Sequence, residues 1–430
     1  MRIFIYPILL LSVLFFSLDY GWASNNRLLD LDAMIEEALN NNPALNAARN
    51  NIKALSQRPD QADSLPNPMI SLGLMNLPLD TFELDREGMT QKTIGVIQRF
   101  PYPGKLDLMR EMAEQSLIGG REELEALKLK VVAEVKKGYY SLFFVNKTIE
   151  ITKRNKKLLE EFIHIAETKY SVGSGIQQDV IKAQVELSKL MEKLIVLKTE
   201  KETVKAKLNY LMNRLPQEPL GDPAEVEITS VNISVEKLQR DLENNHPVLK
   251  HILSVIEKNR SARLLAKKEY YPDFNVTVQY GQRDDGTNID RSDFVSAMVK
   301  MKIPLWAKTK EDKKVVEMEA RVKQAERNYE KAKSRLFFRV KELKENIIMN
   351  YEQAILFKDG IIPQARASLD SAIAGYQVNK VNFITLLDNQ VTLFKYEIEY
   401  YKTIAGHEKK LAEMEEIVGL PVARMGLKNE

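Results

Sequence analysis

The groups in this chain that could move protons or hold a metal are four histidines, His164, His246, His251 and His407, and an abundance of carboxylates. The histidines are scattered. No HExxH places two of them on one helix face beside a glutamate, and no Walker loop, strand-linked GxGxxG or GxSxG elbow occurs. Val172-Gly173-Ser174-Gly175 reads as a hairpin turn and not as a phosphate cradle. There is no cysteine, which excludes disulfides, zinc–thiolate sites, iron–sulfur clusters, a thiol nucleophile and a lipid anchor on cysteine. Met69, Met75 and Met89 could offer thioethers to soft Cu(I), but they share no repeated spacing, so packing or lipid contact accounts for them better. The acids lie on helix faces, where charge serves solvation. No catalytic residue, cofactor or resident metal is expected.

With no chemistry to position, the chain's own architecture has to carry the meaning. Its 430 residues suffice for two units of about 200. A net charge of +3 at this length gives no concentrated basic face for nucleic acid. Residues 1–23 read as a secretory signal. Arg2 follows the initiator, an apolar run extends from Ile3 to Leu18, and Gly21 and Ala23 fit the cleavage positions. The run is shorter than the roughly 20 residues a spanning helix needs, and it contains Pro7.

The rest is written twice. Asn42-Pro43 recurs as His246-Pro247, 204 residues on. Pro66-Asn67 recurs as Pro272-Asp273, Phe100-Pro101 as Ile303-Pro304, Tyr170-Ser171-Val172-Gly173 as Tyr376-Gln377-Val378-Asn379, and Leu215-Pro216 as Leu420-Pro421. Ordered anchors at nearly constant offset mark a tandem duplication. The expected repeats are 24–220 and 221–430, joined by a proline-rich stretch at 216–223. Each repeat leads with an amphipathic helix broken at Pro43 or Pro247, because a proline ring clashes with the preceding turn. A second helix then runs to about Gln57 or Lys268. Since His246 stands where the first copy has Asn42, a structural role is expected for it.

Two alternating stretches follow in each copy. Phe274, Val276, Val278 and Tyr280 interleave with Asn275, Thr277 and Gln279, and Val295, Ala297, Val299, Met301 and Ile303 with Ser296, Met298, Lys300 and Lys302. Ile70, Leu72, Leu74, Ile94 and Val96 follow the same rule in the first copy. Period two means strands with one apolar and one polar face. The expected hairpins are about 68–100 and 272–304, with loops rich in Asp, Gly and Arg that suit water.

Long helical hairpins are expected at about 106–215 and 308–418. Leu124, Leu127, Val131, Val135, Tyr139, Leu142, Val145 and Ile149 step by threes and fours, as do Met318, Val322, Ala325, Tyr329, Ala332, Leu336, Val340, Leu343 and Ile347. This is coiled-coil packing. A helix of about 65 residues is a rod on the order of 100 Å, which needs neighbours along its length. Four strands per chain cannot close a barrel, and lipid does not tolerate open strand edges. If these strands cross a membrane, several chains must share one barrel.

The duplicated Asn-Pro corner, the hairpin-then-long-helix order and the repeated Tyr-x-Val turn together resemble the TolC-like outer membrane efflux channels, over essentially the whole mature chain. MTQKTIGVIQRFPYPGKL, residues 89–106, resembles the heavy-metal (CzcC/CusC-like) branch. The resemblance implies an α+β membrane protein: a homotrimer whose twelve-stranded β-barrel in the outer membrane lipid continues into a long coiled-coil α-helical barrel in the periplasm. It also implies an inner-membrane pump and a periplasmic adaptor as partners, with heavy-metal cations as cargo. Residue by residue, it assigns the periplasmic gate to the hairpin turns. Asp179 and Tyr376 match positions that link neighbouring hairpins, and Asp388 matches an acid that narrows the pore. Thr385 stands where some members carry a second acid, and Val381 where they carry its basic partner. The alternatives are a multidrug or type I secretion exit duct of the same fold, or a soluble periplasmic coiled-coil adaptor.

Overall fold

The computed structural model describes residues 28–228, 230–232 and 234–420; the signal-peptide segment lies outside them. The first copy comprises α1 (Leu31–Asn41), α2 (Pro43–Leu55), α3 (Arg58–Asp63), β1 (Met69–Met75), β2 (Gln91–Phe100), α4 (Lys105–Ser171) and α5 (Gln177–Leu211). The second comprises α6 (Val235–Asn245), α7 (Pro247–Lys268), β3 (Phe274–Gln282), β4 (Phe294–Met301), α8 (Glu311–Ile355), α9 (Ile362–Gln377) and α10 (Phe383–Val418).

Two departures from the expected plan have local causes. The second helix of the first copy stops at Leu55, and α3 restarts at Arg58 with Pro59 at its start. In the second copy the long outgoing rod is not α-helical throughout. A π-helical turn, Leu356–Ile361, joins α8 to α9. Pro363 lies just beyond it, without an N–H and with a ring that crowds the carbonyl four residues back. The wider turn absorbs this without breaking the rod.

The half-length helices stack end on end to complete the long ones. Near the strands, α4 packs against α3 and α7, and α7 against α8; farther away, α4 packs against α5 and α10, and α10 against α8 and α9. Thus α4 and the α8–α9 rod run the full length, while α2 sits on the end of α5 and α7 on the end of α10. The joints are fixed by the corner residues. Asn42 accepts from the Ala44 N–H at 2.9 Å and donates to the Leu211 carbonyl at 3.0 Å. A core seals each joint: Met34, Ala38, Leu45, Val135, Leu142, Leu208 and Met212 in the first copy, and Leu238, Leu242, Leu249, Val340, Leu343, Ile347 and Met414 in the second. A third core, including Leu159, Phe162, Leu369, Phe383 and Leu386, binds the two hairpins of the chain together toward their tips.

The strands form one antiparallel sheet in the order β1-β2-β3-β4. Among the described residues β1 and β4 have no strand on their outer sides. The helical layer also ends open, on α5 at one edge and the α8–α9 rod at the other. No described helix is long and apolar enough to cross a membrane.

Candidate functional site

The register sorts the sheet's side chains into two faces. Leu72, Ile94, Tyr280 and Val295 lie in one cross-strand row, and Ile70, Val96, Val278 and Ala297 in the next. Phe100, Phe274 and Met301 end the same face. The opposite face carries Ser71, Gly95, Gln279 and Ser296 in one row and Gly73, Thr93 and Gly281 in another. On the two inner strands the apolar face is the exposed one, Val96 at 49% and Val278 at 51%, while Gly95 and Thr277 on the polar face are buried; the edge strand β4 is exposed on both faces. The sheet therefore curves with its polar face concave. Water-exposed apolar surface of this extent is costly, whereas against lipid it is the required surface. The ten residues of β2, tilted by roughly 40°, rise about 25 Å, the height of a barrel's apolar band.

At the far end lie the two hairpin tips. Both outgoing helices end alike. Gly173 and Asn379 take left-handed φ values of 74° and 59°. The following residue then donates back into the last turn, Ser174 to the Lys169 carbonyl and Lys380 to the Gly375 carbonyl, each at 2.8 Å. Only Gly, and after it Asn, adopts this conformation cheaply, which is why the repeated turn ends in those residues.

The structure brings two of the expected site residues together. Tyr376 is buried beside Phe383. Burial, and then the nearby charge of Asp179, push its hydroxyl pKa up. Asp179 sits in the first turn of α5, where partial burial raises its carboxyl above the usual carboxylate range against the pull of Lys182. Thr385 is elsewhere on the tip and otherwise engaged: its N–H and hydroxyl both donate to Asn382 Oδ1, at 2.9 and 2.8 Å, closing the start of α10. Asp388, three residues on, is exposed and carries no ion pair among the described residues. Val381 packs against Gly375, so that position is filled by apolar contact.

Lys169 was not singled out from the sequence. From the last turn of α4 its ammonium donates to the Tyr376 carbonyl at 2.6 Å and to Asn379 Oδ1 at 2.5 Å, and it lies 4.6 Å from the centre of the Tyr376 ring. It thus caps the end of α9 with a cation, as a helix C-terminus favours. The signal that could have found it is a lysine immediately before the repeated tyrosine. Farther up, Glu397 of α10 is buried and clamped by Arg154 of α4 at 2.6 Å and Arg366 of α9 at 2.9 Å, a second tie between the hairpins. No group of described His, Asp or Glu side chains could hold a metal ion.

A rod-and-sheet chain, duplicated and with an exposed apolar sheet face at one end, has known counterparts. Residues 34–214 match the profile of the outer membrane efflux protein family. Over those residues, which make up most of the first repeat, the chain is similar to that family. The cobalt-zinc-cadmium resistance protein CzcC of Cupriavidus metallidurans is 22% identical over 401 residues, covering 91% of this chain and 90% of that protein. Among solved structures, CusC aligns with a TM-score of 0.76 at 16% identity, covering 91% of this chain and 92% of its own. The outer membrane protein VceC of Vibrio cholerae aligns with a TM-score of 0.77 at 16% identity, covering 91% and 96%. At these identities the solved structures show the fold that this chain shares with them.

Proposed function

We propose that three copies of this chain close into one passive exit duct, fed by an inner-membrane pump through a periplasmic adaptor, and that its cargo is heavy-metal cations. The observation that carries the duct is the pair of open edges. β1 and β4 bound the sheet and α5 and the α8–α9 rod bound the helical layer, so one rotation that joins β4 to the next chain's β1 also joins the helices. Three sheets of four strands give twelve, an allowed barrel size. The metal cargo is supported by the cobalt-zinc-cadmium resistance relative.

In this reading the tips form the periplasmic gate. Asp388 lines the narrowing, Asp179 and Tyr376 join neighbouring hairpins, and Thr385 shapes the start of the last helix. The test is deletion of the gene followed by susceptibility assays across metal ions and drugs. Selective sensitisation to divalent metals supports the reading. Sensitisation to drugs alone would leave the duct and remove the metal cargo.

A further inference from the structure

The concave face of the sheet is uncharged along most of its height, but its base is not. Arg99, Asn275 and Lys300 form one cross-strand row on that face. The ladder continues one step below it, where the Lys302 N–H donates to the Asp273 carbonyl at 3.3 Å, placing Lys302 opposite Asp273. Asp273 is already engaged: its carboxylate accepts from Lys105 and from Arg99 at 2.8 Å each, and from the Tyr102 N–H at 3.0 Å. Lys300 and Lys302 are exposed and carry no ion pair among the described residues. Beneath this row an open concavity of about 1000 Å³ is bounded by Arg99, Lys302, Asp273, the starts of α4 and α8 with Lys105, Lys310 and Glu311, and the end of α7 with Glu269. With Lys300, that is five cations against three acids in each chain.

The other end of the sheet has the opposite sign. Its two loops, residues 76–90 and 283–293, hold eight acids against Arg86, Arg283 and Arg291. The strand segment is therefore polarised along its length, positive at the helical side and negative at the mouth.

We propose that Arg99, Lys300 and Lys302, repeated around the ring, form a cationic collar at the base of the barrel that concentrates small inorganic anions and sets the charge preference of that stretch of the pore. This rests on the shared-barrel reading above. Rings of like charge on a pore wall act in this way, and a low-dielectric wall focuses their field. A divalent cation then passes the collar with anions as its screen, or as an anionic complex, before reaching the acidic mouth.

The test compares wild type with the K300E/K302E double variant in planar bilayers under a potassium chloride gradient near 0.1 M, where screening extends only about 10 Å. Both side chains are exposed, and heat-modifiable mobility in detergent gels checks assembly. K300R/K302R is the charge-keeping control. The gate acids are present in every variant, so the difference reads the collar alone. The expected result is a reversal potential shifted toward potassium in the glutamate variant and unshifted in the arginine variant. An assembled, conducting K300E/K302E channel with the wild-type reversal potential overturns the collar and leaves the duct standing. A wild-type protein that never conducts overturns both.

Discussion

Asn42 and His246 make the same capping hydrogen bond, one at each internal joint, each accepting from the N–H two residues on. Asn42 accepts from the N–H two residues on and donates to the last turn of α5. His246 accepts at Nδ1 from the Val248 N–H at 3.2 Å, and its ring faces the Glu416 backbone in the last turn of α10. An amide and an imidazole are both a donor and an acceptor held in one plane. Either can cap one helix while satisfying the open carbonyl of another, and the proline beside it starts the new helix without wasting an N–H. This is the physical content of the repeated Asn/His-Pro pair.

Replacing either residue by alanine removes a cap and leaves a buried carbonyl unpaired. Each change is expected to cost about 1–3 kcal/mol per chain. H246N should restore most of the loss and H246L should not. Thermal dissociation of the detergent-solubilised oligomer checks this; equal stability of H246L and wild type would show that the imidazole contributes only bulk.

The same histidine gives the protein a pH dependence of known sign. Burial holds the folded His246 pKa below the ordinary value of 6.5, so the neutral ring is the capping form. Below about pH 6.5 the unfolded chain takes up a proton that the folded chain refuses. This contribution is therefore complete above that pH and falls as pH drops through 6.5 toward the folded pKa. The slope is at most about 1.4 kcal/mol per pH unit. Melting curves of wild type and H246N between pH 5 and 8 should lie close together at high pH and separate at low pH, where wild type becomes the less stable.

The duplication, the alternation of the strands and the rods were legible because each is local: a period, a proline, a turn residue. What escaped is non-local. The polar row Arg99–Asn275–Lys300 joins residues from both repeats and exists only once register is known, since a slip of one residue exchanges the faces. Lys169 likewise reaches more than two hundred positions along the chain, and nothing in its own helix announces Tyr376. The π-helical turn before Pro363 is local but still not legible, because a proline inside a rod is met by a kink as readily as by a wider turn.

Lys169 is expected to hold the second hairpin tip against the first. K169M keeps the stem and removes the charge, so the end of α9 loses its cap while the core around Phe383 stays filled. Single-channel conductance should rise, or the closed lifetime shorten, with little change in melting temperature. Wild-type gating in K169M would show that the apolar contacts alone hold the tip.

Asp388 is exposed and unpaired among the described residues, so D388N should change conductance or cation selectivity while leaving stability unaltered. D179N is the instructive contrast. Its carboxyl is partly buried beside Tyr376, and its removal should loosen the tip as well as alter charge. Identical single-channel records for D388N and wild type would take Asp388 out of the narrowing.

The two faces of the sheet should respond oppositely to charge. Val295 and Ser296 are neighbours on β4, one on the convex apolar face and one on the concave polar face. V295R would place a guanidinium against hydrocarbon near the barrel's middle, at a cost of about 2–4 kcal/mol per chain. Across every copy in the barrel this should reduce assembled protein in outer membrane fractions. S296R turns the same group toward water, and its cost to assembly should be small. What it should change is conductance, because the new charge sits in the pore. If the two arginines traded these outcomes, the convex face would be the one that meets water and the concave face the one that packs. The barrel reading, and with it the shared duct, would then fail.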